Sequence, residues 1–184
     1  MTRKAKVNLA AVNYHFRNKE ALYVEVLRHR LRPINVARLA RLEAALARPP
    51  ERAPSLEEIL EIMIRPVFEV HRNPAAGGPH IVRIIGRSLT EPLAFMGEVL
   101  AEEFQPVMAR FSQAIRRHAA HLTPEDFLWR LSFVIGAMHH TLATMHQIGV
   151  LTRGICRSDD HEGALARFLT TAAAVFTAPA RRVA

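Results

Sequence analysis

Apolar residues recur at intervals of three and four positions along almost the whole chain, and this spacing constrains the fold more than any other feature. Such spacing is typical of amphipathic α-helices, whereas the alternating pattern of half-buried strands is essentially absent. Hydrophobic residues make up 49% of the 184 positions, which is enough to form a buried core. The sequence therefore predicts an all-α protein.

Local start and stop signals predict where the helices lie. Asn18 is a predicted N-cap, and Pro33 is predicted to interrupt or kink the helix that follows, before a further helical stretch at residues 34–47. Ser55 and Glu58 form a capping box for a helix that reaches about residue 71. The other predicted helices span residues 81–89, residues 92–120 with a bend or break at Pro106, residues 124–146 after the N-cap Thr123, and residues 161–176.

Positive charge is concentrated at the N-terminal end of the chain. Residues 1–48 contain eleven Lys or Arg and three Glu, whereas the remaining 136 residues carry fourteen charges of each sign. This asymmetry favours a polyanionic partner, either nucleic acid or a membrane surface, at that end. A basic helix face in contact with water fits the same counts equally well.

The location of the protein is predicted from what the sequence lacks. No apolar run approaches the roughly 18 residues that a membrane span requires, and the first residues do not resemble a signal peptide. The single cysteine, Cys156, cannot form an internal disulfide, which agrees with a reducing compartment. We therefore expect a cytoplasmic protein that does not bind membranes.

The segment at residues 7–22, VNLAAVNYHFRNKEAL, contains Val12, the triplet Tyr14-His15-Phe16 and the run Lys19-Glu20-Ala21-Leu22. This order resembles the recognition helix, turn and following helix of the TetR family of transcriptional regulators. The later helices, with the EEFQPV segment at residues 102–107 and Trp129, resemble the C-terminal domain of that family. The resemblance implies part of a helix-turn-helix head at residues 1–31 and a domain for effector binding and dimerisation at residues 32–184.

The resemblance also implies which residues contact operator DNA. An asparagine in the major groove can bind adenine through two hydrogen bonds, and residues near a helix N-terminus can reach phosphates. An ordinary helix end with its polar groups in water is the alternative. The expected DNA-binding residues are Asn8, Leu9, Ala10, Asn13, Tyr14, His15 and Lys19.

In the TetR family, two further helices precede the recognition helix and position it on the DNA backbone. Only residues 1–6 precede the matching segment here. We therefore expect the chain as given to bind specific DNA poorly or not at all; either the natural start lies upstream or the chain is a truncated member of the family. The leading hypothesis is a ligand-responsive regulator, with repression as its expected activity; the alternative is an effector-binding and dimerisation protein without DNA-binding activity.

A small lipophilic or aromatic effector is implied by the same resemblance. Large, soft side chains suit an apolar ligand, and a few polar groups would anchor it, although most such residues at helical spacing simply form core. The candidate ligand-binding residues are Phe68, Arg87, Phe95, Met96, Phe104, Met108, Phe133, Met138 and His140.

The apolar faces of the last two long helices are wider than one small bundle requires, which favours a homodimer over a monomer in which both helices are central.

His139, His140 and His146 form the densest group of histidines, but their spacing matches no common metal motif. Polar residues at a dimer seam or in a ligand cavity are the more ordinary explanation. No nucleophile elbow, phosphate-binding loop or dinucleotide fingerprint is present. We therefore expect no metal, no cofactor and no catalytic residues.

Overall fold

The computed structural model describes residues 18–73, 78–88 and 96–180. Within these ranges the regular structure is helical, which confirms the prediction of an all-α protein. The helices are α1 (Lys19–Leu46), α2 (Leu56–His71), α3 (Gly78–Ser88), α4 (Met96–Val99), α5 (Gln105–Arg116), α6 (Pro124–Leu151) and α7 (His161–Thr177). A 3₁₀ turn (Pro50–Arg52) precedes α2, and a π turn (Leu100–Phe104) joins α4 to α5.

Three helix starts lie where the cap residues predict them. The side chains of Asn18, Ser55 and Thr123 each accept a hydrogen bond from the backbone amide three residues later, at 2.8, 3.2 and 3.1 Å. Each bond satisfies one of the amides that a helix N-terminus leaves without an intrahelical partner. These local bonds set the starts of α1, α2 and α6.

Pro33 does not interrupt α1, which runs without a break from Lys19–Leu46, so the predicted interruption is wrong and the predicted kink stays a prediction. Pro33 lies on the exposed side of the helix. Leu27 and Leu42, on either side of the proline, are completely buried. Packing on both sides outweighs the hydrogen bond that the proline removes. The predicted domain boundary between residues 31 and 32 falls inside this helix and stays a prediction.

The predicted helix at residues 92–120 is divided in the structure. Its first four residues lie outside the described ranges, the π turn separates α4 from α5, and α5 ends at Arg116. In the π turn, the amide of Gln105 bonds to the carbonyl of Leu100, five residues earlier. Pro106 follows directly and has no amide to continue an α-helical ladder, so the irregularity lies where the proline predicts a bend.

The core is formed around α2, which packs against α1, α3, α5 and α7. Ile64 of α2, Phe111 of α5 and Phe176 of α7 are fully buried in the main hydrophobic cluster. A second cluster joins Leu27 of α1 to Ile85 of α3 and other residues of α3 and α4. The two clusters hold α1 against the rest of the bundle along most of its length.

Helix α6 continues to Leu151, five residues beyond its predicted end. One side packs into the core through residues such as Leu131 and Leu142, while Trp129 and Phe133 lie on the opposite side and are exposed. In the described ranges, no helix combines the length and the apolar character that crossing a bilayer demands.

Candidate functional site

A cavity of about 240 Å³ lies inside the bundle, enclosed by α1, α2, α3, the π turn, α5 and α6. Its lining residues are spread over six elements because each helix turns one apolar stripe inward. The lining residues are Leu31, Ile34 and Arg38 of α1; Met63, Ile64, Pro66, Val67 and Val70 of α2; Ile81, Val82 and Ile85 of α3; Leu100 and Phe104 of the π turn; Val107 and Met108 of α5; and Val134, Ile135, Met138 and His139 of α6.

Among the described residues of this wall, Arg38 and His139 are the polar exceptions. A cavity with mostly apolar walls and a small number of polar groups is the usual form of a small-molecule site. The wall therefore suits a ligand with a largely apolar body.

Arg38 is a buried cation, with 8% of its surface exposed. Its Nη1 donates a 3.2 Å hydrogen bond to Oδ1 of Asn35, while its Nε has no hydrogen-bond partner among the described residues. Burial lowers the pKa of Arg38 to about 10, so the guanidinium still carries its charge at neutral pH. A charged group with an unused donor thus borders the cavity.

His139 is the second polar group in the wall. Its Nδ1 is buried and has no hydrogen-bond partner within the described ranges. Burial lowers the pKa of His139, which keeps the imidazole neutral at pH 7. A neutral imidazole has one ring nitrogen that donates and one that accepts, so His139 can serve a ligand in either way.

Polar contacts connect α1 to the π turn beside the cavity. Arg28 pairs with Glu102 at 2.7 Å, and Arg32 pairs with the buried carboxylate of Glu103 at 3.0 Å. Nδ2 of Asn35 donates a 2.7 Å hydrogen bond to the backbone oxygen of Glu103. We call these three contacts the α1–π bridge. Since the same turn also contributes to the cavity wall, the bridge couples that wall to α1.

The structure brings together some of the predicted ligand-binding residues. Phe104, Met108 and Met138 line the cavity. Phe68 instead packs in the main core, with its ring centroid 6.2 Å from that of Phe168. Met96, the first residue of α4, lies in the second cluster with residues of α1 and α3.

Two predicted ligand-binding residues of α6 face away from this cavity. Phe133 is 60% exposed, and His140 is also exposed. Successive residues of an α-helix are rotated by about 100°, so the neighbouring Val134 and His139 point inward instead. A helical projection anchored on buried residues of α6 could have found this difference.

From the sequence, Arg38 was counted only as one of the eleven basic residues in the N-terminal segment. Leu31, Ile34 and Arg38 are separated by three and four positions, and they share one face of α1. An arginine on an apolar helical stripe was the signal that could have singled it out.

Most of the predicted DNA-binding residues lie outside the described residues, namely Asn8, Leu9, Ala10, Asn13, Tyr14 and His15. Lys19 begins α1, but its side chain is not described, and the same holds for the side chain of Arg87 in α3. Phe95 also lies outside the described ranges.

The histidines do not form a metal centre in the described part of the chain, where no group of three or more His, Cys, Asp or Glu side chains could hold an ion. His71 of α2 and His161 of α7 are neighbours, with ring centroids 6.1 Å apart. Both have a buried Nδ1 without a hydrogen-bond partner among the described residues. This pair lies at a helix contact and does not line the cavity.

A comparison with protein families supports the assignment of the bundle. Residues 61–174 match the model of the tetracycline repressor-like C-terminal domain. This range runs from α2 into α7 and so includes most of the cavity wall, while α1 precedes it. No curated protein matches the sequence. The family model covers more than half of the chain, and the protein therefore belongs to the tetracycline repressor family, TetR.

Proposed function

We propose that the protein is a ligand-responsive transcriptional regulator, in which a small apolar effector fills the cavity and changes the position of α1. The observation that carries this proposal is that α1 contributes directly to the cavity wall through Leu31, Ile34 and Arg38. The same helix begins at Lys19, immediately after the segment that resembles a DNA-recognition helix. One helix therefore connects the ligand site to the proposed DNA-binding residues.

The cavity volume supports a small-molecule effector. An apolar cavity of about 150 Å³ can hold one benzene molecule, and ordinary ligand sites begin near 300 Å³. At about 240 Å³, this cavity has room for one or two fused rings or for a medium-length alkyl chain. Burying such a body against apolar walls stabilises the bound state by about 25 cal/mol per Å² of apolar surface removed from water.

The α1–π bridge supplies a route for coupling. A ligand that contacts Leu100 or Phe104 acts on the π turn, whose Glu102 and Glu103 are held by α1. If ligand binding favours one position of the turn, it favours the matching position of α1. The free-energy difference between the two positions then sets how strongly ligand binding affects DNA binding.

An exposed aromatic pair supports assembly as a homodimer. Trp129 is 57% exposed on α6, and its ring centroid lies 5.9 Å from that of Phe133. Leu128 is exposed beside them. Large apolar side chains grouped on a surface favour association, and a second copy of α6 and α7 would cover them. A symmetric dimer would present two recognition segments to two DNA half-sites.

The test measures ligand binding and DNA binding separately in the full chain. 1-Aminonaphthalene, a small neutral dye whose emission changes in apolar surroundings, should bind saturably to the wild type. Val67→Phe fills part of the cavity and should weaken that binding at least ten-fold. Val36→Phe makes the same change at an exposed position of α1, and it should leave the affinity for the dye unchanged.

DNA binding is tested by selecting duplexes from a random-sequence library with the wild-type protein. Enrichment of a shared sequence, and its release when the dye is added, would support the regulator. Saturable dye binding without any enrichment would instead support the effector-binding and dimerisation protein. Dye binding that is unaffected by Val67→Phe would remove the cavity from the mechanism.

A further inference from the structure

The charge of Arg38 is not balanced by the protein groups around it. Removing a guanidinium from water carries a large free-energy cost unless an opposite charge and hydrogen bonds compensate. Among the described residues, its side chain makes one hydrogen bond, of 3.2 Å, to the neutral amide of Asn35. Within the described ranges, no carboxylate forms an ion pair with it.

Glu103, which shares Asn35 with Arg38 as a neighbour, is already engaged by another arginine. The carboxylate of Glu103 is paired with Arg32 at 3.0 Å, and the backbone oxygen of Glu103 accepts the amide of Asn35 at 2.7 Å. The Nε–H of Arg38 has no acceptor among the described side chains and backbone groups. The wall of the cavity therefore holds a cation whose partner has to come from elsewhere.

We propose that the ligand is a small apolar monocarboxylic acid whose carboxylate pairs with Arg38. This inference rests on the proposed function, since it names the chemical class of the effector. A carboxylate accepts two hydrogen bonds from a guanidinium, so it can pair with Arg38 through the donors that Asn35 does not occupy. The apolar body of the acid then lies against the remaining wall, formed by residues such as Val67, Phe104 and Ile135.

The composition of the wall also argues against other ligand classes. A neutral hydrocarbon would leave the buried charge of Arg38 uncompensated. A dianion such as a phosphate monoester would bring two negative charges to one cation and to otherwise apolar surroundings. His139, which is neutral, adds a second polar group to the wall without changing its charge.

The experiment compares octanoate with 1-octanol by isothermal titration calorimetry at pH 7.5, with the full chain. The two probes share an alkyl chain and differ in charge. We expect the wild type to bind octanoate at least ten-fold more tightly than 1-octanol. Arg38→Met should abolish this preference and retain binding of 1-octanol, whereas Arg38→Lys, which keeps the charge, should restore part of it.

Arg41→Met is the matched control, because Arg41 lies on the same helix and is exposed. This variant should bind octanoate more tightly than 1-octanol, as the wild type does. If the wild type binds 1-octanol as tightly as octanoate, the carboxylate assignment is overturned while the cavity function stands. If neither probe binds and 1-aminonaphthalene also fails to bind, both proposals are overturned. The wild-type comparison remains decisive even if Arg38→Met does not fold.

Discussion

Asn35 of α1 donates a 2.7 Å hydrogen bond to the backbone oxygen of Glu103, in the π turn that borders the cavity. Asn35 is buried, and it also accepts the hydrogen bond from Arg38. One amide side chain thus touches both the irregular turn and the buried cation. Its two bonds therefore connect Arg38 to the π turn, and both of these belong to the cavity wall on which the proposals depend.

Replacing this amide should destabilise the fold. Asn35→Leu keeps the branching of the side chain, with a larger volume, but leaves Arg38 and the carbonyl of Glu103 without their partner. A buried polar group without a partner costs about 1–3 kcal/mol, so we expect the free energy of unfolding to fall by that amount. Urea denaturation measures it, with Gln105→Leu as an exposed control. A loss no greater than that of the control would show that the contact contributes little.

Stability should decrease as the pH falls below about 6.5. The pKa of His71 is lowered by burial and then by the charges of His161 and His146, and the pKa of His139 is lowered by burial. The unfolded chain, with a histidine pKa of about 6.5, then takes up protons before the folded chain does. The stability that these residues contribute above pH 6.5 is therefore lost on acidification.

Denaturation at pH 7.5, 6.5 and 5.5 measures this loss. The double variant His71→Phe, His139→Phe should show a flatter pH dependence than the wild type. His118→Phe changes an exposed histidine and serves as the control. Equal slopes in the wild type and the double variant would mean that other groups cause the pH dependence.

The exposed aromatic pair on α6 should hold a dimer together. We expect the wild type to sediment at twice its chain mass of 20.7 kDa. Trp129→Ser and Phe133→Ser, combined, should weaken dimerisation at least ten-fold, because aromatic residues dominate the energies of many interfaces. Val36→Ser alters an exposed apolar residue of α1 as the control. A wild-type protein that sediments as a monomer would contradict the dimer.

The cap of α6 should contribute measurably to stability. Oγ1 of Thr123 accepts the amide of Asp126 at 3.1 Å, and Thr123→Ala removes that acceptor. Losing such a cap costs about 1 kcal/mol. Thr170→Ala is the matched control, since its hydroxyl lies on the exposed surface of α7 and bonds only to a carbonyl of its own helix. Thermal denaturation compares the two, and equal melting temperatures would contradict a role for the cap.

The helix starts could be predicted because the interactions that set them are local. Asn18 and Thr123 each bond to an amide three residues away, so the sequence contains both partners. The continuity of α1 through Pro33 could not be predicted in the same way. It depends on the burial of Leu27 and Leu42 against helices that are distant in sequence.

The cavity wall was only partly predictable for a related reason. Size and softness singled out Phe104, Met108 and Met138, which line it, but equally Phe133, which is exposed. What separates them is the rotation of each helix about its axis, and neighbouring helices set that rotation. The role of Arg38 depends on its burial. Water solvates the charge of an exposed arginine, whereas a buried arginine without an ion pair needs another partner.

The π turn at Leu100–Phe104 has a mechanical consequence for the bundle. A π turn contains an inserted residue relative to a regular α-helix, and rewinding it as an α-helix displaces one flank by one residue. One residue corresponds to a rise of about 1.5 Å and a rotation of about 100°. Leu100 and Phe104 of this turn line the cavity, so such a change would alter the cavity wall by a fixed step. The wall would then have two discrete shapes rather than a continuous range of shapes.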